Sequence, residues 1–316
     1  MPTPFLLGGT PFRWLNQGVK PEVFAPASLP AHIPGRGRYG VLGFPVAHSL
    51  SPAMQEAGFR ALGIEAEYLR VEITSQGLAA AIPALQHAGF RGWNCTLPHK
   101  EAMFTLCDET DVTAKESTSV NTVVATKNRL CGYSTDADGW EDDVAERWKL
   151  NLTTQRILVL GCGGVGRTLA IRLAKKGCRR LTLANRSPEK AKRLEQEILP
   201  ITKGPVSVIE WHPEIFEKVL PETDLVIQAT SLGLSSADPL PLPENSLRPG
   251  LRIYDTVYRK DLTPLVRQAR AKGAEAADGL GMLLHQGTRA IAIWTGQPAP
   301  VVAMRQALEK EAGRPL

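Results

Sequence analysis

From Arg38 onward the apolar and polar positions change period in a regular way. RYGVLGF (38–44) reads as a strand and SPAMQEAGFRALG (51–63) as a helix; EAEYLRVEI (65–73) alternates with period two, and GLAAAIPALQHAG (77–89) returns to helical spacing. Strands alternating with helices predict an α/β fold with a mostly parallel sheet. Past Leu150, QRILVLGCGGVGRTLAIRLAKKG (155–177) runs strand, glycine turn and helix without a break, which predicts a second domain. RRLTLANRS, a charged helix from Pro188 to about Leu199, VSVIEW, DLVIQATS and RIYDTVY follow in doubly wound order. The tail from about Gly279, LGMLLHQGTRAIAIWTG, has an apolar helical pattern with Gly296 and Pro298 behind it. Residues 1–37, rich in proline and glycine without a sustained apolar period, predict an irregular N-terminal extension.

Composition narrows the functional classes. The chain has 316 residues, 43% of them hydrophobic, which is enough for two domains with separate cores. A formal charge of +5, with basic and acidic residues interspersed, argues against nucleic acid and suits a small anionic ligand. The five cysteines include no C-x-x-C pair, so neither a disulfide framework nor a zinc site is signalled; a reducing cytoplasm fits, and no metal is expected. No segment has the apolar length of a membrane span.

The clearest chemical signal is GCGGVG, in which Gly161, Gly163, Gly164, Val165 and Gly166 join ILVL to a helix. In that context Gly161 serves the tight turn, Gly163 the approach of a pyrophosphate to bare backbone, and Gly166 helix–strand packing. About twenty residues on, an acidic side chain would hold the ribose 2′-hydroxyl of NAD; Arg186 stands there instead, with Asn185, Ser187 and Lys190 around it. That cluster matches a 2′-phosphate and so favours NADP(H).

The first half holds a scattered polar set. In GFPVAHSLSP (43–52), Ser51 and Pro52 predict an N-cap and first turn, and Ser49 and Ser51 together could hold a carboxylate at the helix start. WNCTLPHK (93–100) gathers Asn94, Thr96 and Lys100, while Asn121 and Asp136 lie on either side of a predicted hairpin. Lysine beside a carboxylate makes an acid/base pair of the kind carbonyl reduction needs, although Asx-turn duty is an equally good account of Asn121 and Asp136 taken singly.

Taken together these motifs resemble the shikimate dehydrogenase family, from Arg38 to about Pro298. The resemblance implies Ser49 and Ser51 as carboxylate ligands, Asn94, Thr96 and Asn121 as substrate ligands, and Lys100 and Asp136 as the catalytic pair. GCGGVG and NRS are similar to the family's NADP segments, and QATSLGL to its cofactor loop, implying Thr230 and Ser231. YDTVY implies Tyr258 as the substrate tyrosine; DGLGMLLHQG implies Gly279 at the nicotinamide and Gln286 on the substrate. Cys95, Ser134, Gln228 and Gln55-Glu56 depart from the usual pattern.

The implied division is a substrate domain of residues 38–140 plus 279–316 and a Rossmann-type NADP domain of residues 141–278. The implied activity is NADPH-dependent reduction of 3-dehydroshikimate to shikimate by a monomer or homodimer. An NAD-linked quinate/shikimate dehydrogenase and a catalytically silent NADP-binding regulator are the alternatives.

Overall fold

The structure, a computed structural model, describes residues 22–235 and 237–316, so residues 1–21 of the expected extension lie outside the described residues. The first half contains β1 (Gly37–Gly43), α1 (Ser51–Ala61), β2 (Ala66–Glu72), α2 (Leu78–His87), β3 (Phe90–Cys95), α3 (Lys100–Leu106), β4 (Glu109–Thr110), α4 (Val112–Ser117), β5 (Thr122–Ala125), β6 (Leu130–Tyr133) and α5 (Asp136–Trp148). Its six strands form one sheet in the order β2-β1-β3-β5-β6-β4. β1 runs parallel to β2 and β3, whereas β5 is antiparallel to β3 and, through the short hairpin expected from the sequence, to β6.

This topology gathers the polar set. With β1 and β3 parallel and β5 reversed, the carboxyl ends of β1, β3 and β6 and the amino end of β5 lie along one edge. Register fixes it further, since Asn94 pairs with Thr122 and Thr122 with Tyr133. The loops holding Ser49, Thr96, Asn121 and Asp136 therefore all open on that edge.

The second half contains β7 (Arg156–Leu160), α6 (Gly164–Lys176), β8 (Arg180–Ala184), α7 (Pro188–Ile198), β9 (Val206–Ile209), α8 (Pro213–Val219), β10 (Leu225–Gln228), β11 (Arg252–Asp255), α9 (Pro264–Ala271) and β12 (Glu275–Ala277). Its sheet is parallel throughout in the order β12-β11-β10-β7-β8-β9, a doubly wound arrangement whose order reverses at β7. Strands buried on both faces need continuous apolar runs, which ILVL and LVI supply; Leu158, Val159, Leu160 and Val226 are inaccessible to solvent.

Two C-terminal helices, α10 (Leu280–Thr295) and α11 (Val301–Ala312), return to the first sheet. Met54 and Phe59 of α1, Tyr39 of β1, Ile291 of α10 and Met304 of α11 share one buried cluster. A Cβ at Gly58 would stand 3.1 Å from both Ile291 and Met304, so glycine permits the close crossing of α1 with these helices. α10 also lies against α5, whose Trp140 and Val144 pack into the core of the second sheet. The α5–α10 pair thus touches both sheets.

The described part of the extension is in contact with the first sheet. Phe24 bridges Val71 in parallel, and the guanidinium of Arg38, fully buried, donates to Glu67 at 2.6 Å, to the Ala88 carbonyl at 3.0 Å and to the Ala31 carbonyl at 3.0 Å. Each polar edge of that cation is occupied, as burial of a charge requires. Among the described residues, no helix is long and apolar enough to cross a membrane.

Candidate active site

Along the edge of the first sheet, Lys100 Nζ donates to Asp136 Oδ2 at 2.7 Å. Lys100 opens α3 and is partly accessible; Asp136 opens α5 and is buried. The second carboxylate oxygen, Oδ1, accepts from Asn121 Nδ2 at 3.0 Å, and that amide also donates to Thr135 Oγ1 and Gln286 Oε1, both at 2.9 Å. Asn121 Oδ1 accepts the Thr135 N–H at 2.9 Å. Asn121 therefore ties β5, α5 and α10 together rather than closing a local Asx turn. Sequence separations of 15 and 165 residues collapse into one hydrogen-bonded group.

Asn94 sits one strand over. Its Nδ2 donates to Thr122 Oγ1 at 2.9 Å and the Asn121 carbonyl at 3.0 Å, while its Oδ1 accepts from Tyr68 Oη at 2.7 Å. Thr96 follows at the end of β3, with its N–H on the Leu42 carbonyl at 2.9 Å and its methyl near Gly43. Histidine 99 faces elsewhere: it is fully buried, one ring nitrogen lies 2.7 Å from the Ile73 carbonyl, and burial lowers its pKa. Cys95 points into the core beneath the first sheet, so its thiol replaces an apolar side chain in packing.

The serine turn departs in one respect from expectation. α1 begins at Ser51 with Leu50 as N-cap, and no side chain caps the helix. Ser51 lies one residue too far along to cap, so its hydroxyl is free of that duty; Ser49 Oγ accepts the Ser51 N–H at 3.3 Å. Tyr258, at the carboxyl end of the second sheet, reaches this turn. Burial raises its phenol pKa, while hydrogen bonding from the Leu50 backbone and the Ser49 side chain and the charge of Arg70 oppose the rise. Ser49 and Tyr258 are thus neighbours, with Ser51 two residues along the same turn.

The carboxyl edge of the second sheet carries the glycine turn. Gly161 has φ +97°, a left-handed conformation open to glycine. A Cβ at Gly166 would stand 1.9 Å from the Gly161 carbonyl oxygen, which enforces bare backbone where α6 crosses the turn. At Gly163 and Gly164 a Cβ would meet nothing within 4 Å, so these two leave an open cradle over an α6 N-terminus that no side chain caps. Val165 follows in the first turn of that helix.

Asn185 Oδ1 accepts the Cys162 N–H at 3.0 Å and its amide donates to the Ser187 carbonyl at 2.9 Å, linking the end of β8 to the glycine turn. Arg186, Ser187 and Lys190 are exposed beside it. An uncapped helix terminus, an open glycine cradle and adjacent unburied cations fit a phosphorylated dinucleotide.

Gln228 organises the neighbouring loop. Its Oε1 accepts the Thr230 N–H at 2.7 Å and its Nε2 donates to the Leu232 carbonyl at 2.8 Å, shaping the turn that bears Thr230 and Ser231. Beside it, buried Asp255 accepts from Thr263 Oγ1 at 2.7 Å and the Val257 N–H at 3.1 Å. Gly279 lies against the Thr256 carbonyl, 2.2 Å from where its Cβ would be, and so closes the same edge.

Burial pushes the Asp255 carboxyl up to about 7. With a folded pKa above the unfolded value near 3.9, the folded state retains a proton that the unfolded chain releases. Stability from the protonated carboxyl is complete below about pH 4 and declines as pH rises towards 7. Thermal melts of Asp255→Asn and the unchanged chain should diverge from about pH 4 to about pH 7 in favour of the variant, by up to about 1.4 kcal/mol per pH unit, and run level above that. A gap independent of pH would contradict this.

Residues 41–123 match the family described as shikimate dehydrogenase substrate binding domain, residues 143–235 the shikimate / quinate 5-dehydrogenase family, and residues 279–309 the shikimate 5′-dehydrogenase C-terminal domain. The shikimate dehydrogenase (NADP(+)) of Desulforamulus reducens is 36% identical over 277 residues, 87% of this chain and 95% of that protein. The chain belongs to the shikimate dehydrogenase family.

Solved members of the family have the same fold. The Aquifex aeolicus shikimate dehydrogenase superposes with a TM-score of 0.79 at 34% identity, covering 88% of this chain and 99% of that one. The Thermus thermophilus shikimate 5-dehydrogenase, in complex with NADP(H) and shikimate, gives 0.76 at 34% identity, covering 87% and 99%. Three side chains at the site, Tyr68, Arg70 and Glu72, escaped the reading of the sequence. The available signal was their shared period-two face on β2, too polar for a face turned inward.

Proposed function

We propose that this chain catalyses the reversible NADPH-dependent reduction of 3-dehydroshikimate to shikimate. The observation that carries this reading is the Lys100–Asp136 pair, 2.7 Å apart and joined through Asn121 to Gln286 at the edge of the first sheet. Bound NADPH supplies the hydride. Lys100, as the ammonium, gives its proton to the forming ring alkoxide; in the oxidative direction the neutral amine removes it. Asp136 holds the lysine in place through Oδ2, while Asn121 fixes the carboxylate through Oδ1.

Ser49, Ser51 and Tyr258 bind the substrate carboxylate in this reading; Asn94, Thr96, Asn121 and Gln286 bind the ring hydroxyls and fix which carbon faces the cofactor. Gly161, Gly163, Gly164, Val165 and Gly166 carry the pyrophosphate, and Asn185, Arg186, Ser187 and Lys190 the 2′-phosphate. Thr230, Ser231 and Gly279 border the nicotinamide. The proposed domains are residues 38–140 with 279–316 for the substrate and 141–278 for NADP, the boundary falling within α5. The proposed assembly is a monomer or homodimer, and five free cysteines suit the proposed cytoplasmic location.

The deciding experiment measures kcat/KM for shikimate and quinate with NADP+ and with NAD+. Shikimate with NADP+ should be the preferred pair; preference for quinate with NAD+, or no turnover, would overturn the reading. Replacing Arg186 with alanine should raise KM for NADP+ by about 10–100-fold, as expected for a lost charge-assisted contact, and leave KM for NAD+ nearly unchanged.

A further inference from the structure

β2 turns alternate side chains to opposite faces of the first sheet. Val71 enters the core beneath α2, whereas Tyr68, Arg70 and Glu72 face the other way, and each engages the Gly43–Pro52 turn or its neighbour. Glu72 Oε2 accepts the Val46 N–H at 3.2 Å. Arg70 Nε and Nη2 both donate to the Ser49 carbonyl, at 3.0 and 2.7 Å. Tyr68, besides its bond to Asn94, has the Ser51 side chain beside its phenol, which opposes the rise that burial imposes on its pKa.

Arg70 is the informative member. Its guanidinium is half-buried yet enters no ion pair among the described residues. Burial disfavours its cation; Glu311, Glu56, Tyr258 and Tyr68 are the titratable groups around it and oppose that effect. Glu56 is already engaged by the Tyr68 N–H at 3.4 Å, and burial raises its carboxyl pKa. A half-buried cation with no carboxylate within 4 Å gains when an anion arrives beside it.

We propose that Arg70 is the residue that makes the serine pair select a carboxylate, holding Ser49 through its carbonyl and placing a positive charge behind the pair. Arg70 is a positioning and selectivity residue; the proton and hydride steps do not involve it. The inference rests on Ser49 and Ser51 receiving the acid group of shikimate.

The test compares kcat and KM for shikimate and its methyl ester, with NADP+, in the unchanged chain and in Arg70→Gln. The variant should raise KM for the acid about tenfold, keep KM for NADP+ within about twofold, and lower the acid-to-ester ratio of kcat/KM by about tenfold. A purely structural role would impair both substrates alike, so a ratio within about twofold of the unchanged chain overturns the proposal. If Arg70→Gln does not fold, Arg70→His decides: its charge titrates near pH 6.5, so the acid-to-ester ratio should fall between about pH 6 and 8 in that variant alone. A flat ratio there also overturns it. If the unchanged chain oxidises no shikimate, the dehydrogenase reading fails and this inference with it; turnover with an unaltered ratio removes only Arg70.

Discussion

Replacing Lys100 with alanine should lower kcat for shikimate oxidation by about 10²–10⁴-fold while KM for shikimate changes only a few-fold. The asymmetry follows from where the side chain acts. Lys100 Nζ is engaged with Asp136 in the resting site, and the proton it moves matters when charge develops on the ring oxygen, so its loss falls on the transition state rather than on the bound ground state. Small primary amines added to Lys100→Ala should restore part of the rate, because the truncated side chain leaves room beside a buried carboxylate. Asp136→Asn should be slow as well, and the double variant little slower than Lys100→Ala alone, since the two act as a unit. A near-normal kcat in Lys100→Ala would sink the assignment.

The second large effect separates two uses of glycine within one turn. In Gly166→Ala the new methyl would stand 1.9 Å from the Gly161 oxygen, 2.9 Å from its carbon and 3.2 Å from the Ala229 Cβ, and backbone on the facing side cannot swing away as a side chain would. Overpacking of this kind costs about 1–3 kcal/mol and displaces the N-terminus of α6. Both the melting temperature and NADP+ affinity should fall, the latter at least about tenfold. In Gly163→Ala, by contrast, the methyl enters open space from an ordinary extended conformation, φ −82° and ψ −171°. Its melting temperature should stay within about a degree while NADP+ affinity drops, because only an incoming pyrophosphate meets the methyl. Equal melting temperatures for the two variants, measured by calorimetry with and without NADP+, would refute the distinction.

How much of this was legible in the sequence depends on the range of each interaction. The glycine turn is a local object: ILVL, the three spaced glycines and the helix after them lie within one supersecondary unit, so pattern and structure coincide. Arg186 was found by counting from that unit. Lys100, Asn121 and Asp136 stood out as polar residues at strand ends, but spacing gave no reason for them to meet; the antiparallel hairpin of β5 and β6 brings their ends to one edge. Gln286 joins them only because α10 crosses back over α5.

Tyr68, Arg70 and Glu72 were hidden for a different reason. Alternation in EAEYLRVEI is what a half-exposed strand also shows, and no local property says that the polar face looks onto a loop from another strand. Ser51 shows the converse limit. Serine before proline is a good capping pattern, yet the helix starts a residue earlier, which leaves the hydroxyl for other work. Gln228 differs from the family's usual residue and still makes the bonds that shape the Thr230–Leu232 turn, so chain length at that position is accommodated by local geometry.

The return of α10 and α11 to α1 bears on the order in which the protein takes shape during synthesis. The apolar face formed by Tyr39, Met54 and Phe59 is covered by Ile291, Met304 and Leu308, residues made more than two hundred positions later. Strands β7 to β12 and the helices between them are complete by Ala277. A ribosome emitting this chain therefore releases a nucleotide-binding half able to close its sheet while the earlier half still shows an uncovered face, and that earlier half is the one that needs shielding until translation ends.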